Sequence, residues 1–495
     1  VESFKASGVG FSVMCEYTYE NGKKCRLKPL EGSKYCALHI PREEGEAVYG
    51  ERLKEIKKEA FEKRLKVGQT YFEGVDLYDV AIRDFTTEKV LVFKNSRVTN
   101  LIMDASSVRG LILINSKVER VVIFESTLET ILVKNSTVFG LNILRTEFSS
   151  HISIRDSEVR YLMINSTRYT PKGEVGEEKA YGETERIVGN IEISNLTGVR
   201  RIGINTRYPL LREILKEHGI NVSESKERSV RARNLIIRDV SFDVSPRYKR
   251  RVRLTVAGFH GRLHLENLEV FGHIEIRKSY LVSPEFVHVK VESNLVLRGT
   301  SIHTDSTWGM TVLPNLPIEL EVGGFIIVED CRFNNPRAEE LFYRLARTSW
   351  EKSGDFDRAD EYYYLEMLAK RKAKLQSRKK GLKRIINTAE VWFEWLFADL
   401  TCKYGTDWKR PILLWLGAVN VIFPLLFWAT KSVEGLSSSL SFLDYEYFSI
   451  VTATTLGYGD YHPFGVGRII ASVEALFGMF MWAVFLTVFA RKYMR

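Results

Sequence analysis

NSRVTNLIMDASSVRGLILINSKVERVVIFESTLETILVKNSTVFGLNIL runs from residue 95 to residue 144. Read in tens, it repeats itself. Ser96, Ser106, Ser116, Ser126, Ser136 and Thr146 fall at ten-residue steps, as do Val98, Val108, Val118, Leu128, Val138 and Phe148. Between them run short apolar strands, LIM, LIL, VVI and ILV. A unit this short cannot bury its own apolar face, so it stacks on its neighbours. Equal steps lay like residues over like residues as ladders. The pattern predicts a β-solenoid (a parallel β-helix) with Ser/Thr and Asn at the corners and Val/Leu inside. Asn95, Asn115 and Asn135 return only at every second step, so one coil is expected to hold two ten-residue units.

After an irregular insert at about 168–185 the pattern returns less tidily. NIEISNLTGV, NLIIRDVSF, RLHLENLEV, HIEIRKSYLV and NLVLRGTSI carry it to about residue 333, giving a solenoid domain over 67–335. In its corner hydroxyls and short strands this part resembles the pentapeptide-repeat and related β-helix families. It departs from them in its ten-residue unit and bulkier interior. Some β-helices cleave polysaccharides, but no acids or arginines recur at coil positions here. The solenoid is therefore expected to be a spacer or docking surface and not an enzyme.

Ahead of the repeat, Cys15, Cys25, Cys36 and His39 form a C-x9-C-x10-C-x2-H pattern within 9–42, with Gly22 and Gly32 offering turns between them. Three thiolates and an imidazole make a tetrahedral zinc set, and four protein ligands close the site, as in a structural centre. The alternative is a set of free cysteines in a loop-rich segment. A charged linking helix is expected over 43–66.

The whole chain of 495 residues has a net charge of +10. Part of the excess is one run without acids, AKRKAKLQSRKKGLKR at 369–384. With a membrane segment following, the run is expected to meet anionic lipid and not nucleic acid. It overlaps a predicted helical hairpin over 336–385, which Pro336 opens and Ser353-Gly354-Asp355 turns. Leu341, Phe342, Leu345 and Ala346 face Tyr362, Leu365 and Leu368 across it. INTAEVWFEWLFADL at 386–400 is too short to span a bilayer; it suits the lipid interface or an ordinary packed helix. Together with the residues up to 410 it forms the expected interfacial segment, 386–410.

PILLWLGAVNVIFPLLFWA (411–429) carries no charge and is long enough to cross a bilayer, with a kink expected at Pro424. Ile469 to Ala490 is the second predicted span, with Glu474 its lone acid. Lys409 and Arg410 precede the first span, while Arg491, Lys492 and Arg495 follow the second. Basic flanks at both outer ends place both termini in the cytoplasm of a two-span protein of the cell membrane. The opening residues show no secretory signal, so the large N-terminal part is expected in the cytosol.

Between the spans, LDYEYFSIVTAT (443–454) reads as a short helix that runs into TTLGYGD (454–460). Irregular backbone at membrane depth survives only where it lines a water-filled path or is buried in protein. Gly457 and Gly459 can take positive φ, and alternating the sign of φ turns successive carbonyls to one side. Four such strands around an axis would make rings of oxygens that replace the hydration shell of K⁺.

On the run TATTLGYGD, residues 411–495 resemble the pore of two-transmembrane prokaryotic potassium channels. The resemblance implies an all-α pore domain with a re-entrant pore helix, assembled as a homotetramer that conducts K⁺ passively. It implies a selectivity filter of Thr455, Leu456, Gly457, Tyr458 and Gly459, with Leu456 replacing the commoner Val. Tyr447 and Phe448 would take the place of the family's aromatic pair beside Thr454, and Asp460 the outer mouth. Tyr458 would be braced by the pore helix, Glu474 would face protein behind the filter, and Gly478 lies near the family's hinge glycine. The section 336–410, ending in LTCKYGTDWKRP, is similar to a recurring prokaryotic arrangement in which pentapeptide-type repeats precede a channel module; it brings no gating ligand with it. No span carries regularly spaced Arg, so no voltage sensor is expected. Solenoid movement is expected to reach the pore through 386–410 and the first span. A nonselective cation channel, or a binding or scaffold protein whose solenoid is the working part, are the alternatives.

Overall fold

The computed structural model describes residues 14–169, 189–205, 230–243, 252–304, 318–376, 382–435 and 440–494. The chain divides into two compact units, Val1–Ala338 and Glu339–Arg495. The insert at about 168–185 lies mostly outside the described residues, as does 377–381 within the basic run.

The first unit is built on the ten-residue step. Strand Ser107–Ile114 pairs in parallel with Thr127–Lys134, Val108 opposite Leu128 and Leu111 opposite Ile131, so the register advances twenty residues per coil. The alternate strands, Lys117–Phe124 and Thr137–Leu144, pair with each other in the same way. Two strands per coil, each pairing with its counterpart one coil on, make a two-faced parallel solenoid. Leu101, Val121 and Leu141 stack as one buried ladder inside it, and Leu111 and Ile131 stack as a second on the other face. The same parallel pairing continues through Ile274–Arg277 on Leu295–Arg298 and then Ile326–Glu329.

The corners explain the residue choice. Asn95, Asn115 and Asn135 have φ of 50°, 50° and 49°, in the left-handed region that Asn tolerates best among residues with a side chain. Ala105, Glu125 and Arg145 sit in the same conformation at the opposite corner. The next residue is the buried hydroxyl. Ser116 Oγ donates to the Ile114 carbonyl at 2.8 Å and accepts from the Ser96 amide at 3.1 Å. Ser126 and Ser136 do the same for Ser106 and Ser116, at 3.2 Å each. A bend that leaves the β-ladder thus keeps its buried backbone groups satisfied. Asn115→Val, which puts a β-branched residue at that corner, is expected to destabilise the solenoid by about 1–2 kcal/mol, whereas Asn115→Gly stays near wild type. Equal melting temperatures for the two variants would contradict this account of the corners.

The linking helix expected over 43–66 is two helices, Arg42–Tyr49 and Arg52–Lys66, broken at Gly50, whose φ of 56° ends the first. The second helix covers the opening coil. Phe61 packs on Phe72 with ring centres 4.7 Å apart, and the buried Lys57 donates to the Ile40 carbonyl at 2.6 Å. A solenoid that begins in solution presents unpaired strands, and this helix covers them.

In the second unit the hairpin forms as expected: helices Pro336–Lys352 and Phe356–Gln376 join at Gly354, where φ is 79°. Arg344 and Arg347 both hold Glu366, at 3.0 and 2.8 Å. The segment expected at the lipid interface folds as helix Leu382–Glu394 continued by a π-helical turn, Trp395–Leu400. Ile385, Trp392 and Phe393 are exposed on it, while Phe397 stands edge-on to Phe480 at 5.4 Å. Part of the basic run is already paired within the chain: Arg371 with Asp399, Lys372 with Glu339, and Lys374 with Glu390 and Glu394.

The two spans are Lys409–Thr430 and Gly467–Tyr493, of which only 28% and 17% of the most apolar window is buried. Apolar helices left this open need lipid or further copies of the chain around them. The expected kink takes the form of a π-helical turn, Ala418–Ile422, just ahead of Pro424. Proline has no amide to donate to the Asn420 carbonyl, and its ring crowds that carbonyl, so the ladder widens there. Between the spans lies the short helix Phe442–Ala453, and Val433–Glu434 pairs antiparallel with His462–Pro463 to tie the two connecting loops together.

Candidate functional site

The short helix begins with a capping box: the Ser441 amide donates to Asp444 Oδ2 at 2.7 Å, and its hydroxyl lies 2.8 Å from the same oxygen. Asp444 Oδ1 also accepts from the Tyr461 hydroxyl at 3.0 Å, which ties the helix start to the loop beyond the glycines. Sequence reasoning missed this pair, although the S-x-x-D spacing of the box was visible. Phe448 is buried edge-on against Phe427, 5.0 Å away, and so fixes the helix to the first span. Tyr447 is more exposed, 5.7 Å from the Tyr461 ring and paired with the Asp460 carboxylate.

At its other end the helix closes on Thr454, whose amide donates to Ile450 O at 3.0 Å and whose hydroxyl donates to the same carbonyl at 2.6 Å. Beyond it the backbone alternates. Thr455, Gly457 and Gly459 have φ of 58°, 60° and 81°, with Leu456 and Tyr458 between them outside the positive-φ set. A Cβ placed on Gly457 or Gly459 meets nothing within 4 Å, so conformation and not crowding calls for glycine there. Thr455 joins the alternation without being glycine, which no sequence signal announced. Leu456 and Tyr458 are 58% and 67% exposed in the single chain.

The second span meets this helix at two buried points. Ser449 Oγ lies against Glu474 Oε1 and donates to Val419 O at 2.7 Å, so one hydroxyl joins both spans to the short helix. Glu474 is thus buried against the Ser449 hydroxyl. At Gly478 a Cβ would collide with the Ala453 carbonyl, so this glycine has a packing reason to be there.

The second site lies in the first unit. Cys15, Cys25, Cys36 and His39 are all buried, and their ligand atoms lie within 4.8 Å of one another. His39 Nδ1 is 3.3 Å from Cys36 Sγ and 3.6 Å from Cys15 Sγ. Tetrahedral zinc with thiolate bonds of about 2.3 Å and an imidazole bond of about 2.0–2.1 Å sets N and S roughly 3.6 Å apart, close to this spacing. His39 Nε2 sits 3.0 Å from the Glu73 carbonyl, which can only accept, so Nε2 carries the proton and Nδ1 the free lone pair. Tyr17 stacks on the imidazole at 4.1 Å and the Cys36 amide donates to Cys15 Sγ at 3.3 Å. The thiols divide: a hydrogen bond from Cys36 holds Cys25 well below the usual thiol range and pushes Cys36 up, while burial raises Cys15. A bound dication would stabilise all three as thiolates.

Residues 412–495, which contain most of the first span, all of the second and the alternating backbone, match the family model described as "Ion channel". This part of the molecule is similar to ion-channel domains. Among solved structures the chain is similar to HetL, a pentapeptide repeat protein involved in heterocyst differentiation regulation from the cyanobacterium Nostoc sp. strain PCC 7120. The identity is 10%, over 55% of this chain and 92% of that one, with a TM-score of 0.18. No curated protein matches the chain.

Proposed function

We propose that the chain is one quarter of a K⁺-selective channel, with residues 455–459 as its filter. The observation that carries this reading is the alternation of positive φ at Thr455, Gly457 and Gly459, directly beyond a capped helix between two apolar spans. Alternating φ turns successive carbonyls to one side, where four chains offer rings of oxygen at the spacing of a hydration shell. The short helix points its C-terminal carbonyl end toward the inner side of the filter, and its partial negative charge favours a cation there. Tyr447, Phe448, Thr454, Asp460 and Glu474 hold the strand in place, and Gly478 is both the contact and the hinge of the inner helix. Exposed Ile385, Trp392 and Phe393 lie in the interface with lipid. Zinc, held by Cys15, Cys25, Cys36 and His39, closes the N-terminal module; bound there it supplies folding energy and no catalysis.

Single-channel recording of the reconstituted protein, with K⁺ on one side and Na⁺ on the other, tests this. The reversal potential is expected to lie near the K⁺ equilibrium value. A reversal near zero would make the pore nonselective, and no current at all would return the function to the solenoid.

A further inference from the structure

Helix Phe356–Gln376 makes contacts that its place in the sequence does not announce. Asp357, Asp360, Tyr364 and Arg371 stand at i, i+3, i+7 and i+14, on one face. Asp360 Oδ1 accepts from Arg491 Nη2 at 2.9 Å, and Asp357 lies 3.0 Å from Lys492 Nζ. Arg491 and Lys492 belong to the last turn of the second span. Further along the face, Tyr364 and Arg371 both donate to Asp399, at 3.1 and 2.7 Å. The Arg491 guanidinium also lies 5.1 Å from the centre of the Tyr363 ring.

The turn after the interfacial helix is shaped around the same arginine. Lys403, Tyr404 and Gly405 are consecutive left-handed residues, with φ of 47°, 57° and 81°. A Cβ on Gly405 would stand 3.2 Å from Arg491 Nη1. The Asp360 side chain is 10% exposed and Arg491 32%, while Asp357 is 82% exposed. Breaking a pair at a site this buried leaves an uncompensated charge, whereas an exposed pair contributes little.

We infer that Asp360 and Arg491 form a latch joining the helical connector directly to the cytoplasmic end of the inner helix, where it positions the inner mouth of the pore. The inference rests on the channel reading. It gives movement of the connector a route to the inner helix besides the 386–410 segment and the first span. Arg491 lies thirteen residues beyond Gly478 on one helix, roughly 20 Å away. The latch therefore acts on opening and leaves ion selection alone.

The test is the open probability of the full-length, reconstituted protein. Asp360→Arg and Arg491→Asp are each expected to change it at least fivefold. The double swap is expected to return it to within twofold of wild type, with the K⁺/Na⁺ reversal potential unmoved throughout. Asp357→Asn, at the exposed pair, is expected to change it less than twofold. Should a charge reversal fail to assemble, Asp360→Asn carries the same expectation of a fivefold change without added bulk. Single variants within twofold of wild type, or a double swap no better than the singles, overturn the latch alone. A wild-type protein that passes no K⁺-selective current overturns the channel reading instead.

Discussion

Gly457→Ala is expected to cut K⁺ flux by at least a hundredfold while the protein still inserts and assembles. Gly457 has φ of 60°, and an alanine there costs about 1–2 kcal/mol per chain. In the proposed tetramer four chains would place the same strain around one axis, about 4–8 kcal/mol in all, enough to turn the backbone and take its carbonyls off the path. The added methyl itself meets nothing within 4 Å in the chain, so the loss would be one of conformation and not of packing. Gly417→Ala is the control. Gly417 lies in the first span without positive φ and with the same open surroundings, and alanine is the better helix former. Flux through Gly417→Ala vesicles is expected to match wild type. If Gly457→Ala matched it too, the glycine spacing would have no part in conduction.

Removing the metal is expected to unfold the N-terminal module and uncover the first coil. Zinc binding to small closed sites is worth about 10–16 kcal/mol at neutral pH, more than so small a core supplies unaided. The module is also fastened to the solenoid through His39, one of the proposed ligands. His39 bonds the Glu73 carbonyl, the Glu20 amide donates to the Glu73 carboxylate at 2.7 Å, and Tyr17 occupies the space a side chain would need at Gly74. His39→Ala, or a strong chelator, should release one zinc per chain. Proteolysis would then begin within 14–66, and the exposed first strands would promote aggregation. Residues 455–459 carry none of these contacts, so K⁺ selectivity is expected to survive in the fraction that stays soluble. Metal analysis that finds no zinc in the native protein would remove this part of the account.

The solenoid was legible because its signal is additive: the ten-residue step of Ser96 through Thr146 repeats until chance is excluded, and the twenty-residue register follows from the alternating Asn. The left-handed corners at Ala105, Glu125 and Arg145 were not legible. There the following buried hydroxyl and its hydrogen bonds hold the bend, and the corner residue's own preference does not. The break at Gly50 was visible as a glycine but outweighed by the helix-forming residues around it. In the pore domain, Gly457 and Gly459 announced their φ and Thr455 did not, because its conformation is imposed by the helix end before it. Pro424 signalled a disturbance without giving its form, the π-helical turn. The pairing of Asp360 with Arg491 spans 131 residues, and no local pattern encodes such a distance. The spacing of Asp357, Asp360, Tyr364 and Arg371 on one face was the available hint that this helix had partners there.

The most direct test of the central claim is an experimental density map of the membrane-embedded protein prepared in Rb⁺, a heavier ion of similar size to K⁺. A fourfold axis is expected, with a row of ion peaks along it, each ringed by main-chain oxygens of residues 455–459. An assembly without that axis, or an axis with those carbonyls turned away and no ions between them, would contradict the account.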